Sequence, residues 1–255
     1  MFDQKGWQKF EYDPNIAYWA DAAYQEGCFA LRDNEMRKKW LQCEGTWFVG
    51  VDALPSDPVG RIGNIDLRGT VIDALSETRT KPLHPAQLSI IFEGYPKPRE
   101  GESEAAFSYR LNRDAAHVDG LLPVGKDRRR MLKEPHAYIL GIPLNETSPD
   151  ASPLIVWEGS HILMAEAFQT VFDGSQPKDW KDADVTEIYQ STRKAVFETC
   201  NRVSIHARPG EAYVLHRLAL HGVAPWATGA VAPPEGRMIA YFRPELEEPS
   251  AWPLL

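Results

Sequence analysis

Apolar residues recur at helical spacing between positions 13 and 42. They occupy the i, i+3, i+4 and i+7 positions of one face, namely Ile16, Trp19, Ala20 and Ala23. This spacing places side chains on one side of an α-helix. Asp13 followed by Pro14 is typical of an N-cap and a first-turn proline. The pattern therefore predicts a helical segment from Asp13 to about Gln42.

From about Thr46 the chain changes to short apolar and β-branched runs that are separated by Gly, Pro, Asn and Asp. These runs are TWFVGVDAL, AQLSIIFEG, AFSYRLNRDAAHVDG, HAYILGIPLN, SPLIVWEGSH, RVSIHARPGEAYVLHRLALHG and RMIAYFRPE. Their lengths and their breakers predict β-strands. A polar stretch from about Ala183 to Cys200 predicts a helix among them. Strands and helices do not alternate regularly, so a β-sandwich or barrel is expected rather than a parallel sheet.

The same pattern predicts a single domain over residues 1–255. Residues 1–45 are expected to form a helical part that packs on the β structure. Residues 46–255 are expected to form the sandwich or barrel, with a helical insertion near 161–200. The chain has neither an internal repeat nor a low-complexity linker, and its length suits one large domain.

Charge and cysteine content narrow the class of protein. The formal net charge is −8 at pH 7, whereas proteins that bind nucleic acid or anionic membranes are more often basic. No stretch approaches ~20 apolar residues, and the N-terminus lacks the pattern of a secretory signal. The three cysteines, Cys28, Cys43 and Cys200, show no CxxC spacing, which fits a reducing compartment. We expect a cytoplasmic protein that binds neither nucleic acid nor membrane.

Candidate chemistry begins with the stretch RDAAHVDG, which holds His117 and Asp119 two residues apart. Residues i and i+2 on a strand project from the same face. An imidazole and a carboxylate on one rigid segment can therefore reach one metal ion. A facial triad of two histidines and one carboxylate on Fe(II) needs one further histidine.

The third ligand is expected near the C-terminus, where His216 and His221 are the candidates. They are five residues apart, so on a continuous strand they face opposite sides and only one can point into the site. His221 ends its run and precedes Gly222, at the mouth of a strand. His216 lies within the run and is expected to be packed. The pattern therefore favours His221.

An arginine follows the second histidine. RMIAYFRPE begins a strand at Arg237, after a loop rich in proline. A hairpin between His221 and Arg237 would bring these residues together, and a guanidinium can bind a carboxylate through two hydrogen bonds. Arg243 has the same parity as Arg237, but at ~3.3 Å per residue it lies roughly 20 Å farther along. Arg243 is therefore expected to lie outside this end of the site.

Four motifs in order, AHVDG, SPLIVWEGSH, RPGEAYVLHRLALHGVAP and GRMIAYF, resemble those of the phytanoyl-CoA dioxygenase-like group of Fe(II)/2-oxoglutarate oxygenases. The resemblance extends over about 108–244. It implies a mainly β fold with flanking helices and a double-stranded β-helix (jelly-roll, cupin-like) core. It also implies that His117, Asp119 and His221 ligate Fe(II), and that Arg237 binds the distal carboxylate of 2-oxoglutarate. Val223 stands where a hydroxyl residue often assists that co-substrate.

The activity that this resemblance implies is a non-haem dioxygenase that uses O2 to hydroxylate a small molecule and releases succinate and CO2. Related halogenases carry a small residue at the position of Asp119, so the carboxylate favours hydroxylation or a similar oxidation. Two alternatives stay open: a cupin-like metal enzyme that does not use 2-oxoglutarate, and a non-catalytic binding module on the same fold.

The substrate is left open by the sequence. Aromatic residues in strands more often belong to the core, but an apolar pocket could be lined by Tyr109, Tyr138, Trp157 and Trp226. The basic run at 128–130 is expected to be a solvated loop, with the alternative that it flanks the mouth of the pocket and favours an anionic substrate.

Overall fold

A seven-stranded antiparallel sheet forms the larger half of the β structure in the computed structural model, which describes residue 2 and residues 4–255. In spatial order its strands are β1 (Trp7–Phe10), β10 (Ala212–His216), β7 (Tyr138–Pro143), β12 (Arg237–Phe242), β4 (Gln87–Ile91), β3 (Trp47–Phe48) and β2 (Leu41–Gln42). The central strands β4, β7 and β10 are buried along their whole length. Their near-continuous apolar sequences reflect this, because both of their faces are covered.

A smaller antiparallel sheet packs against the large one. Its strands are β11 (His221–Val223), β8 (Leu154–Glu158) and β9 (Asn201–Ile205), with β8 in the centre. One apolar cluster joins the two sheets and includes Leu154, Val156 and Ile205 from the smaller and Ile139, Tyr213, Leu215 and Ile239 from the larger. The two sheets therefore face each other across a common core, as the strand pattern predicts. A separate hairpin consists of β5 (Leu121–Val124) and β6 (Arg129–Leu132).

The helical N-terminal segment covers the outer face of the large sheet. It consists of α1 (Pro14–Arg32) and α2 (Asn34–Trp40), and α1 contacts β7 and β12. The Asp13 side chain accepts the backbone N–H of Asn15, and the predicted apolar face of α1 is buried. Asp33 separates the two helices, because its side chain caps α2 by accepting the N–H of Met36. The predicted helical segment is thus confirmed from Asp13 as far as Trp40, with this one break, whereas Leu41–Gln42 forms the strand β2.

The remaining helices lie in the connections. They are α3 (Thr70–Leu75), α4 (Glu104–Asn112), α5 (Ser160–Phe172) and α6 (Thr186–Thr199), with short 3-10 helices at Pro177–Asp182 and Pro249–Ala251. Helices α5 and α6 occupy the segment near 161–200, where a helical insertion is expected.

The prediction of a strand for AFSYRLNRDAAHVDG is wrong over its first half, which is the helix α4. Ser103 caps this helix by accepting the Ala106 N–H. Apolar Phe107, Tyr109 and Leu111 alternate with polar residues, so the segment imitates the two-residue period of a strand. The helix is nevertheless stable in this position because Arg110 is buried against Glu102, a contact that local periodicity does not contain.

Candidate metal centre

His117 and His221 lie opposite each other in a single antiparallel bridge. The His117 N–H donates to the His221 carbonyl at 2.8 Å, and the His221 N–H donates to the His117 carbonyl at 3.1 Å. Residues that exchange both bonds project their side chains to the same face of the pair. The imidazole centroids are accordingly 4.6 Å apart. The bridge therefore joins the RDAAHVDG segment to the start of β11.

Asp119 completes a cluster of three side chains. Its Oδ1 is 3.1 Å from His117 Nε2, and its Oδ2 is 3.8 Å from His221 Nε2. One ligand atom from each of the three residues lies within 4.8 Å of the other two. Residues 117–119 form a bridge followed by a turn rather than the expected strand, yet both side chains reach the same point. The structure therefore brings together all three residues of the predicted triad.

Backbone carbonyls orient both imidazoles. His117 Nδ1 is 3.0 Å from the Ala115 carbonyl, and His221 Nδ1 is 2.9 Å from the Ala219 carbonyl. A carbonyl only accepts, so the proton of each neutral ring lies on Nδ1 and its lone pair on Nε2. Two lone pairs thus face a carboxylate. This arrangement is repulsive unless a cation lies among the three groups, and it is the usual orientation of histidines that bind metals.

The protonation states suit a cation. Burial, aided by the neighbouring His117, lowers the pKa of His221 to about 4, so its ring is neutral at pH 7. Burial by itself would raise the pKa of Asp119, but the charge on Arg243 outweighs it and holds that pKa well below its ordinary value. The centre therefore combines the Asp119 carboxylate with the neutral imidazole of His221. Asp119 and His221 are buried, whereas the His117 side chain is 50% exposed, so the centre opens on the side of His117.

The arginine that touches this centre is Arg243, which the sequence reasoning placed outside it. Its Nη1 is 3.4 Å from Asp119 Oδ2. The predicted hairpin between His221 and Arg237 does not form, because β11 belongs to the small sheet and β12 to the large one. The residue just past the C-terminal end of β12, not the one at its start, therefore lies beside the triad.

Arg237 is buried at the start of β12, on the same strand face as Tyr241 and Arg243. Its Nη1 is covered from solvent and has no hydrogen-bond partner among the described residues. Burial raises the pKa of the Tyr213 hydroxyl well above its ordinary value, and the adjacent Arg237 guanidinium opposes that rise. The Tyr213 hydroxyl donates to the Tyr241 hydroxyl at 2.8 Å. A row of contacts therefore runs from Arg237 through the Tyr213 hydroxyl to Tyr241, which lines the cavity beside the triad.

A cavity of about 250 Å³ opens on the triad. Its wall is mostly apolar and includes Trp47, Val49, Ile139, Leu154, Leu215 and Val223, with polar groups from Gln87, Ser89, Tyr241 and Arg243. Trp47, Gln87 and Tyr241 are not among the site residues that the sequence pattern predicts. Strand parity could have found Tyr241, because it lies four residues from Arg237 and so on the same face of β12. Trp47 on β3 and Gln87 on β4 could not be found in this way, because their place in the cavity wall depends on which strands lie next to β12.

The other residues that the sequence singled out lie away from this cavity. Among the aromatic candidates, Trp157 packs on Phe197 at 5.2 Å between centroids, and the cavity wall contains none of the four. In the basic run, Arg129 pairs with Asp184 at 2.6 Å, and Arg130 donates to the Leu121 carbonyl. The run therefore belongs to the β5–β6 hairpin and does not line the cavity.

His216 is packed in the core, as expected. Its ring lies 5.1 Å from that of His161, and both are buried. Burial lowers the pKa of His216 to about 2, so this imidazole is neutral. The two histidines do not share one continuous strand, however, because β10 ends at His216 and β11 begins at His221.

No protein-family model matches this chain, and no curated protein matches its sequence. Solved structures do match. The chain is similar to the non-heme alpha-ketoglutarate-dependent carbocyclase SnoK from nogalamycin biosynthesis, with a TM-score of 0.52 and 11% identity over 96% of this chain and 81% of that one. It is also similar to the epimerase SnoN of the same biosynthesis and cofactor dependence, with a TM-score of 0.50 and 13% identity over 96% and 80%.

These likenesses, at such low identity, show the fold alone. They confirm the expected mainly β fold with a double-stranded β-helix core, the fold of non-haem 2-oxoglutarate enzymes. Within the part of the chain that the structure describes, no helix is both long enough and apolar enough to cross a membrane.

Proposed function

We propose that this chain is a non-haem Fe(II)/2-oxoglutarate-dependent oxygenase that hydroxylates a small molecule. The observation that carries the proposal is that two imidazole nitrogens and one ionised carboxylate lie within 4.8 Å of one another in the wall of a cavity. The structural likenesses to SnoK and SnoN support the 2-oxoglutarate dependence in this proposal, because these two proteins are an alpha-ketoglutarate-dependent carbocyclase and epimerase, and alpha-ketoglutarate is another name for 2-oxoglutarate.

The donor set fits Fe(II). Two nitrogens and one oxygen from His117, His221 and Asp119 form the facial arrangement that non-haem iron oxygenases use, and this arrangement leaves other positions on the metal open. The set contains no thiolate, since the described part of the chain has its three cysteines elsewhere. The carbonyls that hold both Nδ1 atoms supply the outer contacts that such ligands require.

The features around Arg237 fit 2-oxoglutarate. A buried guanidinium nitrogen without a partner is costly, and the distal carboxylate of the co-substrate would satisfy it. Val223 lines the cavity but offers no hydroxyl. In our proposal the hydroxyls of Tyr213 and Tyr241, beside Arg237, make the second contact instead.

When bound, Fe(II) and 2-oxoglutarate supply the activation of O2, with release of succinate and CO2. The chain's own residues bind, orient and shield. Asp119 is ionised and holds the metal, and the apolar wall around Ile139, Leu154 and Leu215 excludes water from the reacting groups. The volume of the cavity suits a small substrate. Because a carboxylate stands at Asp119, we assign hydroxylation rather than halogenation.

The proposal is tested with anaerobic protein to which Fe(II) and then 2-oxoglutarate are added. Chelation of the co-substrate by the metal is expected to produce a visible charge-transfer band, and admission of air is expected to yield succinate. A protein that binds one Fe(II) but shows neither the band nor succinate would favour a metal enzyme that does not use 2-oxoglutarate. A protein that binds no metal would favour a non-catalytic module.

A further inference from the structure

Arg243 is tied to Asp119 on one side and to the large sheet on the other. Its Nη1 is 3.4 Å from Asp119 Oδ2, and its Nη2 donates to Gln87 Oε1. Gln87 in turn donates from Nε2 to the Val49 carbonyl at 2.9 Å. The Arg243 side chain is only 20% exposed. A chain of contacts therefore runs from Val49 and Gln87 of the large sheet to one oxygen of the Asp119 carboxylate.

Two of the three guanidinium nitrogens of Arg243 are directed at protein groups. Nη1 contacts Asp119 and Nη2 donates to Gln87, whereas Nε is covered from solvent and has no hydrogen-bond partner among the described residues. Arg237 likewise has one covered nitrogen, Nη1, without a described partner. The two arginines differ in position, because Arg243 contacts Asp119 at 3.4 Å whereas Arg237 lies beside Tyr213.

We infer that Arg243 is a positioning residue that restricts Asp119 to one metal-binding oxygen. This inference rests on the proposed function, since it needs a metal at the triad. Carboxylates bind metal ions through one oxygen or through two. With Oδ2 held by Arg243, Asp119 offers Oδ1, which lies on the side of His117. Two histidines and one oxygen leave three positions of an octahedral ion open.

The third open position has a consequence for the reaction. A chelating co-substrate takes two positions, and O2 needs one more. If Asp119 chelated the metal through both oxygens, only two positions would remain and the position for O2 would be lost. Through its contact with Asp119, Arg243 therefore controls how many further ligands the metal can accept.

The test uses the metal alone. Protein loaded with Mn(II) is examined by electron paramagnetic resonance in ¹⁷O-enriched water, which counts the metal-bound waters. We expect three waters in the wild type and two in Arg243→Gln, because the released Oδ2 then joins the metal. Arg237→Gln is the matched control on the same face of β12 and is expected to keep three.

Gln87→Leu provides a second variant in case Arg243→Gln does not fold, as judged by circular dichroism and thermal unfolding. This substitution removes the acceptor of Arg243 Nη2 but keeps the guanidinium. The average number of metal-bound waters is expected to fall between two and three, because Arg243 then holds Asp119 less firmly. Three waters in every folded variant at positions 87 and 243, or two in the wild type, would overturn the inference but not the metal centre. A wild-type protein that binds no Mn(II) would overturn both.

Discussion

Gly222 packs directly against the carbonyl oxygen of Asp114. A Cβ at position 222 would stand 2.0 Å from that oxygen and 3.1 Å from the Ala116 nitrogen. The same oxygen accepts the Val223 N–H at 2.8 Å. Arg202 holds the Asp114 carboxylate through Nε and Nη2, at 2.7 and 2.8 Å. The glycine that follows His221 therefore permits the close approach of the two segments that carry the histidines.

Gly222→Ala is expected to weaken metal binding roughly tenfold to a hundredfold, the range found when groups that orient metal ligands are changed. The Cβ meets backbone atoms, so the segments must separate and the His117–His221 bridge opens. Overpacking also lowers the free energy of unfolding by about 1 to 3 kcal/mol. Titration calorimetry with Mn(II) and urea unfolding measure the two effects.

Gly229→Ala is the control for Gly222→Ala. Gly229 has a φ of +81°, and a Cβ at this position would have no described atom within 4 Å apart from its chain neighbours, so alanine there introduces backbone strain without crowding. Its metal affinity is expected to equal that of the wild type. Equal Mn(II) affinities in Gly222→Ala and wild type would show that the close approach is not needed for the centre.

His117→Ala and His221→Ala are each expected to abolish stoichiometric metal binding at micromolar protein. Each removes one of three ligands, and the remaining pair cannot hold the ion in the facial arrangement. Metal content after anaerobic incubation with Fe(II) and gel filtration provides the measurement. His84→Ala, at a solvent-facing histidine that pairs with Asp52, should retain one equivalent. Full metal content in both triad variants would exclude this centre.

Arg237→Gln is expected to weaken 2-oxoglutarate binding about tenfold to a hundredfold while metal binding is unchanged. Loss of a charge-assisted hydrogen bond costs about 1.5 to 3 kcal/mol, and about 1.4 kcal/mol corresponds to a factor of ten. The charge-transfer band, titrated with 2-oxoglutarate, measures the affinity. Tyr213→Phe should have a smaller effect in the same direction, and Arg208→Gln, at an exposed position, should have none. An unchanged affinity in Arg237→Gln would remove this residue from the co-substrate site.

Asp13 makes a stability contribution that depends on pH. Its carboxylate accepts the Thr70 N–H, the Asn15 N–H and the Thr70 hydroxyl, and these hydrogen bonds, led by that of the Thr70 backbone, lower its pKa from 3.8 to about 2. Asp13→Ala is expected to cost about 1 to 2 kcal/mol at pH 7, as for other N-cap residues.

The sign of this pH dependence follows from the lowered pKa of folded Asp13. The contribution is fully present above the unfolded pKa and is lost as the pH falls through the folded pKa. The wild type and Asp13→Ala should therefore converge in stability between about pH 4 and pH 2, measured by urea unfolding. Asp13→Asn keeps a side-chain acceptor at the N-cap but does not titrate. The difference in stability between Asp13→Asn and Asp13→Ala should therefore stay constant over this pH range. A constant difference between wild type and Asp13→Ala over this range would contradict the assignment.

Local pattern was sufficient for much of the fold. The helical period and the Asp13-Pro14 cap predicted α1, because a helix buried on one face has apolar residues at helical spacing. Continuous apolar runs predicted β4, β7, β8 and β12, because strands covered on both faces need apolar residues at nearly every position. The pattern failed at α4, where alternation imitates a strand and a buried ion pair between Arg110 and Glu102 decides the conformation. The residues of the metal centre could be named from HxD and a later histidine, because the chemistry of a facial triad requires these residue types.

The tertiary structure alone decided which arginine meets the triad. Strand parity correctly grouped Arg237, the first residue of β12, with Arg243, just past its end, but parity does not say which end of a strand approaches which loop. That depends on the sheet that each strand joins, and β11 and β12 join different sheets. Sheet membership is determined by contacts between residues that are far apart in sequence, such as the 124 residues that separate Asp119 and Arg243. No local window of the sequence contains those contacts.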